Sequence, residues 1–160
     1  MIYTINKGII WEEPNVQIIF NPVSVSNNVF GQSVFNNLLK QTYRKVYDEY
    51  LDYIAGESPK RLLGDIQLVK IKNNKIIMNG FIYKGDEIDL QALVKVLVEL
   101  YNLADEYKLN IAIPVSMNNK NQINIGLIKQ IIDVVFDDFP NDIYLYQKTV
   151  VGSRDKNKFN

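Results

Sequence analysis

Residues Asn110–Gly126 read N-I-A-I-P-V-S-M-N-N-K-N-Q-I-N-I-G, and this pattern decides the fold. A short apolar run ends in Pro114, a polar loop rich in Asn follows, and a helical pattern begins near Asn124. A strand that hands over to a helix leaves backbone N–H groups facing the gap between them. Such a gap suits an anionic or phosphorylated ligand.

Outward from this stretch, strands alternate with helices. Strands are predicted at Ile2–Asn6, Val16–Phe20, Ile66–Ile71, Lys75–Tyr83, Asn110–Val115 and Asp142–Gln147 from alternating or continuous apolar runs. Ile9-Ile10 with Trp11 reads as a short extension. Asn21-Pro22 closes the second strand, and Val23–Phe30 reads as a polar loop. A helix is predicted from Gly31 or Gln32 to Ile54, its face marked by Val34, Leu38, Thr42 or Tyr43, Val46, Tyr50 and Ile54. Gly56 and Pro59 end it. Lys72-Asn73-Asn74 is a hairpin turn. Asp86-Glu87-Ile88-Asp89 supplies an N-cap and acidic first turn for a helix to Tyr107. That helix carries Leu90, Leu93, Val94, Leu97, Leu100, Tyr101 and Ala104 on its apolar face. Asn124–Asp138 is the last helix. Long apolar strands between helices imply a sheet covered on both sides, so the expected fold is α/β, a three-layer α/β/α sandwich with a mixed central sheet.

The 160 residues suffice for one domain with one core, expected over 1–150, and 151–160 form a polar C-terminal tail. Lys and Arg total 18, as do Asp and Glu, so no net field steers the chain toward nucleic acid or anionic membrane. A small or neutral partner is expected. With no Cys and no His, disulfides, Cys/His metal sites and histidine-based triads are excluded. Acid–base chemistry would fall to Asp, Glu, Lys or Tyr. No apolar run approaches the length of a membrane span, and a cytoplasmic setting is expected. Abundant Asn, Ile, Lys and Tyr suggests an AT-rich genome, such as that of a virus or mobile element.

The element order and several local strings resemble a macro domain, the ADP-ribose-binding fold. The nearest branch holds the terminal ADP-ribose-protein glycohydrolase and the yeast ADP-ribose-phosphate phosphatase. The resemblance runs from Ile2 to Gln147 and rests more on spacing than on identity. The family's Gly-Asp-Ile, whose Asp meets the adenine amino group, corresponds to Gly8-Ile9-Ile10, with Ile9 at the acidic position. Its Asn-x-x-Asn corresponds to Asn21-Pro22-Val23-Ser24, with Ser24 at the ribose-contacting position. Its Gly-x-Gly helix entry corresponds to Gly31-Gln32-Ser33-Val34, with Ser33 at the second Gly. Leu63-Gly64-Asp65-Ile66 matches the strand after the first long helix.

In the glycohydrolase-like loop, Pro114 aligns, Met117 and Asn119 stand at the glycines, and Asn121 replaces the catalytic Asp. Lys84, ending a strand, matches the catalytic Lys. Asn118 and Asn119 are residues that tolerate left-handed backbone, whereas a Met117 held at positive φ would cost about 1 kcal/mol or more.

The resemblance therefore implies a binding module for ADP-ribose or a related nucleotide metabolite, without hydrolysis, because Asn121 is neither acid nor base. Its expected ligand residues are Gly8, Ile9, Asn21, Ser24, Phe30, Gly31, Gln32, Ser33, Val34, Pro114, Met117, Asn118, Asn119 and Asn121. Phe30 is placed to stack on a base or ribose. No cofactor or metal is expected. Two alternatives stand beside this reading. One is a scaffold or inhibitor without a pocket that acts through a protein surface. The other is an active ADP-ribosyl glycohydrolase using Lys84 with Asp86 or Asp65.

Overall fold

A computed structural model of the chain describes residues 1–26, 30, 31, 33–117 and 121–147. The readings made on Gln32, Asn118, Asn119 and the tail 151–160 lie outside the described residues. The strands are β1 (Ile2–Ile5), β2 (Ile18–Ser24), β3 (Ile66–Lys70), β4 (Ile76–Lys84), β5 (Glu87–Ile88), β6 (Ile111–Pro114) and β7 (Ile143–Tyr146). The helices are α1 (Val34–Thr42), α2 (Arg44–Ile54), α3 (Pro59–Leu62), α4 (Leu90–Tyr107) and α5 (Ile125–Val135). The seven strands form one sheet in the order β1-β7-β6-β2-β4-β3, with β5 on the end of β4. Neighbours from β1 to β4 run parallel, while β3 and β5 run antiparallel to β4. The sheet is mixed and covered on both faces, an α/β/α sandwich.

Strand alternation sorts side chains between two cores. Ile18 and Phe20 of β2, Met78 and Ile82 of β4, and Ile111 and Ile113 of β6 face α4 and α5. Ile19, Val23, Ile77, Phe81 and Ala112 face α1, α2 and a 3-10 turn at Ile10–Glu12. This two-sided burial is why these strands are apolar almost throughout. Gly80 lets α4 lie close, since a Cβ there would fall 2.4 Å from Val96 Cγ1 and 2.5 Å from Phe20 Cε1. At the β3–β4 hairpin, Asn73 and Asn74 both take left-handed backbone, φ 62° and 61°. Asn is suited to that geometry.

Several expected boundaries shift. Asn21-Pro22 does not close β2, which runs on to Ser24. Beyond Ile18 and Ile19, β6 no longer pairs with β2, so the missing N–H of Pro22 is tolerated there. The first long helix is two helices broken at Tyr43 (φ −127°, ψ 77°), whose ring meets Trp11 edge-on at 5.8 Å. Its inward residues include Phe35, Asn36 and Leu39, whereas Val34 is half-exposed. Ile10 and Trp11 form the 3-10 turn, with no strand extension. Asp89 does cap α4 through Ala92 N–H, but Glu87 belongs to β5, so no acidic first turn exists. Leu90 and Val94 stand outside the α4 core face, which is carried by Ala92, Leu93, Val96, Leu97, Leu100 and Ala104.

Candidate functional site

The parallel strands all end at one edge of the sheet, and this gathers the loops singled out in the sequence. β2 and β6 are adjacent and parallel, so the loops after Ser24 and after Pro114 leave from neighbouring positions. From β2 the chain passes to α1 on one face, and from β6 to α5 on the other. The two connections diverge to opposite faces at the carboxyl ends of the strands, the place where ligands bind in open parallel sheets. The N-termini of α1, α4 and α5 all lie at this end, and none of their first turns carries an acidic residue. The Asp89 carboxylate already occupies the α4 end, so the partial positive charge left available to an anion is that of α1 and α5, capped by the neutral Ser33 and Asn124.

Ser33 caps α1 in a reciprocal box with Asn36, and Asn124 caps α5 by accepting from Leu127 N–H at 2.8 Å. These caps satisfy the third helical amide of each helix. Among the described residues, the amides of Val34, Phe35, Ile125 and Gly126 have no protein acceptor.

Several expected ligand residues turn inward. Asn21 is fully buried, its Nδ2 donating to Asn79 Oδ1 at 2.8 Å and its Oδ1 accepting from Asn36 Nδ2 at 2.6 Å. Asn36 Nδ2 also donates to Pro22 O at 3.1 Å, and Asn79 Nδ2 donates to Gln67 Oε1 at 3.0 Å. A chain of amides therefore runs from α1 through β2 and β4 to β3. Every buried amide dipole in it is paired, as the low dielectric requires. Ser24 is also fully buried, and its Oγ accepts from Ser26 N–H at 3.2 Å. Phe30 packs edge-on against Tyr47 and Tyr50. Met117 joins the α4–α5 core, and its φ is not positive; among the described residues of that loop, the left-handed one is Gln122, at 57°. Pro114 is buried at the end of β6.

Gly31 is bare for a reason internal to the protein. A Cβ there would fall 2.2 Å from Asn36 Cγ and Oδ1. Of the expected set, Gly8, Val34 and Asn121 are exposed, and Ile9 and Gly31 are half-buried.

Lys84 and Asn121 meet at the β4–β5 corner. Lys84 Nζ lies 3.4 Å from Asp89 Oδ2, and Lys84 pairs with Glu87 across the ladder. The Asn121 carboxamide donates to Ile88 O at 2.9 Å and accepts from Ile88 N–H at 3.3 Å. Both side chains are engaged in holding the corner. Asp65, offered as an alternative acid, lies just before β3 and accepts from Tyr53 OH of α2 at 2.6 Å. Asn36 and Asn79 were not singled out in the sequence, although Asn79 inside the apolar run Ile76–Lys84 is a readable sign of a buried amide.

These features define the macrodomain fold. Among solved structures, the macrodomain of Thermus aquaticus DarG is similar at a TM-score of 0.75 and 18% identity, covering 92% of this chain and 99% of its own. That of Mycobacterium tuberculosis DarG is similar at 0.75 and 17%, with 92% and 99% covered. Thermosipho africanus DarTG, solved in complex with ADP-ribose, is similar at 0.67 and 13%, with 88% and 41% covered. No protein-family model matches the sequence, and no curated protein does. Among the described residues, no helix is long and apolar enough to cross a membrane, and no group of three or more acidic side chains could hold a metal ion.

Proposed function

We propose that the chain binds ADP-ribose, or a related nucleotide metabolite, at the carboxyl end of its sheet and does not hydrolyse it. The observation that carries this reading is the convergence of the α1 and α5 N-termini, with neutral caps and no acidic first turn, where the connections after β2 and β6 diverge. A diphosphate is the part of the ligand that such helix ends favour. The ADP-ribose held by Thermosipho africanus DarTG, which shares the fold, supports the ligand class. Binding without turnover is supported by the engagement of Lys84 with Asp89 and of Asn121 with the Ile88 backbone. The soluble, cytoplasmic setting and the viral or mobile-element source belong to the same reading.

Calorimetric titration with ADP-ribose tests it. Val34 and Ile125 are exposed first residues of α1 and α5. A Glu at either position favours the helix while competing with a ligand anion. Val34→Glu and Ile125→Glu are expected to keep the fold and weaken binding about tenfold or more. No heat from the parent chain at millimolar ADP-ribose overturns the proposal. The scaffold reading is favoured by one feature, an exposed apolar stripe of Leu90, Val94, Val98 and Val134 across α4 and α5. That reading expects no ADP-ribose heat from the parent chain.

A further inference from the structure

The opposite end of the sheet carries a cavity of about 760 Å³, remote from the loops described above. Its walls come from the 3-10 turn, the approach to β2, the α1–α2 break and the β3–β4 hairpin. Trp11, Glu12, Gln17, Tyr43, Asn74 and Lys75 are the residues that bear on its chemistry. The volume falls within the range of about 300–1,000 Å³ typical of small-molecule sites.

Two donors in this wall are incompletely used. Lys75 is only 6% exposed, yet its ammonium meets backbone carbonyls alone: Nζ donates to Val16 O at 2.6 Å and to Glu13 O at 2.5 Å. Among the described residues it has no ion pair. Two N–H groups hold the 13–16 loop, and the third has no acceptor among the described residues. Trp11 is likewise 6% exposed, and its indole N–H has no hydrogen-bond partner among the described residues. A buried donor without an acceptor costs free energy, and a buried cation with no carboxylate in direct contact costs more.

Gln17 offers no compensation, because its Oε1 accepts from Asn110 N–H and its Nε2 donates to Asn15 O. Burial pushes the Lys75 ammonium below the usual lysine range, and the Glu13 charge offsets this in part. The rings of Trp11 and Tyr43, edge-on with centroids 5.8 Å apart at 83°, give the cavity an apolar side. Glu12 stands exposed at its rim. A nearby carboxylate disfavours a multiply charged anion and leaves room for a singly charged one.

We infer that this cavity binds a small organic monocarboxylate, its carboxylate accepting from Lys75 and Trp11 and its apolar body lying against the Trp11–Tyr43 side. Trp11 is the one tryptophan in the sequence, so its fluorescence reports on the site directly. The full chain is titrated with cyclohexanecarboxylate and with phenylacetate, each compared with its own neutral carboxamide. Saturable change is expected with at least one carboxylate at a Kd of about 1 mM or tighter, and about tenfold weaker with the matching amide. Lys75→Met, which keeps the apolar stem and removes the charge, abolishes the difference. Saturating ADP-ribose leaves it unchanged, because that ligand is assigned to the other end of the sheet. Absence of a response to both carboxylates, or equal response to acid and amide in the parent chain, overturns the inference. That comparison stands even where Lys75→Met fails to fold.

Discussion

The side chain of Asn121 bonds both backbone groups of Ile88, donating to the carbonyl at 2.9 Å and accepting from the amide at 3.3 Å. An amide side chain has the donor and acceptor needed to imitate one rung of a β-ladder. It thereby ties the loop after β6 to the residue preceding the α4 cap. A carboxylate in its place would have no donor and would face the Ile88 carbonyl. Asn121→Asp is therefore expected to lower stability by about 1–3 kcal/mol. It is also expected to release no ADP-ribose from a modified protein substrate, despite restoring an acid. Urea denaturation reads the first outcome and a product assay the second.

The buried amide chain makes a second prediction. Asn79→Ala removes the acceptor of Asn21 Nδ2 and the donor to Gln67 Oε1. Orphaning the buried Asn21 amide costs about 1–3 kcal/mol and the half-buried Gln67 less, so the loss exceeds that of an ordinary surface change of about 0.5 kcal/mol. Asn102→Ala, on the exposed side of α4, serves as the surface control. A shift in urea midpoint at constant m-value is the expected result.

Gly80→Ala is expected to cost about 1–3 kcal/mol through overpacking. The new methyl would press on Val96 and Phe20, between β2, β4 and α4. Val96→Ala in the same chain should recover part of that loss, which thermal unfolding of the single and double variants measures.

Alkaline pH is expected to destabilise the protein. Tyr53 is pushed up to about 12, first by its hydrogen bond to Asp65 and then by burial. Burial raises Tyr50, Tyr83 and Tyr146 further still. A phenol that keeps its proton longer when folded contributes stability that is fully present below about pH 10 and lost as pH rises toward its folded value. Lys75 acts in the opposite sense: its burial penalty is relieved as pH rises through its lowered value toward about 10.5. One lysine is outweighed by four tyrosines. The thermal midpoint should fall steeply above about pH 10, with tyrosinate absorbance of the buried rings appearing only on unfolding.

The sheet was legible because its strands are apolar on both faces and its helices carry clear stripes. Asp89, Asn124 and the Asn73-Asn74 turn were legible because local chemistry alone specifies them. The break at Tyr43 was not, since it depends on Trp11 arriving from a distant segment. Nor was the continuation of β2 through Pro22, which turns on how far a non-adjacent strand pairs. At the candidate site, spacing singled out loops that the sheet gathers at one edge, but not the direction of their side chains. Asn21 and Ser24 sit where strand alternation and a partner from another element bury them. The cavity at Lys75 left no local trace, because four separate segments assemble it.

The pairing of β1 with β7 joins Ile2 to Ile143 and lines up the whole first strand against the last. Near it, the Met1 ammonium lies 3.4 Å from Asp142 Oδ1. β2, β3 and β4 can find one another among the first half of the chain, but β1 has nowhere to dock until translation has delivered β7. Assembly should therefore spread outward from the β2–β4–β3 block, with the N-terminal strand the last to be sealed in place.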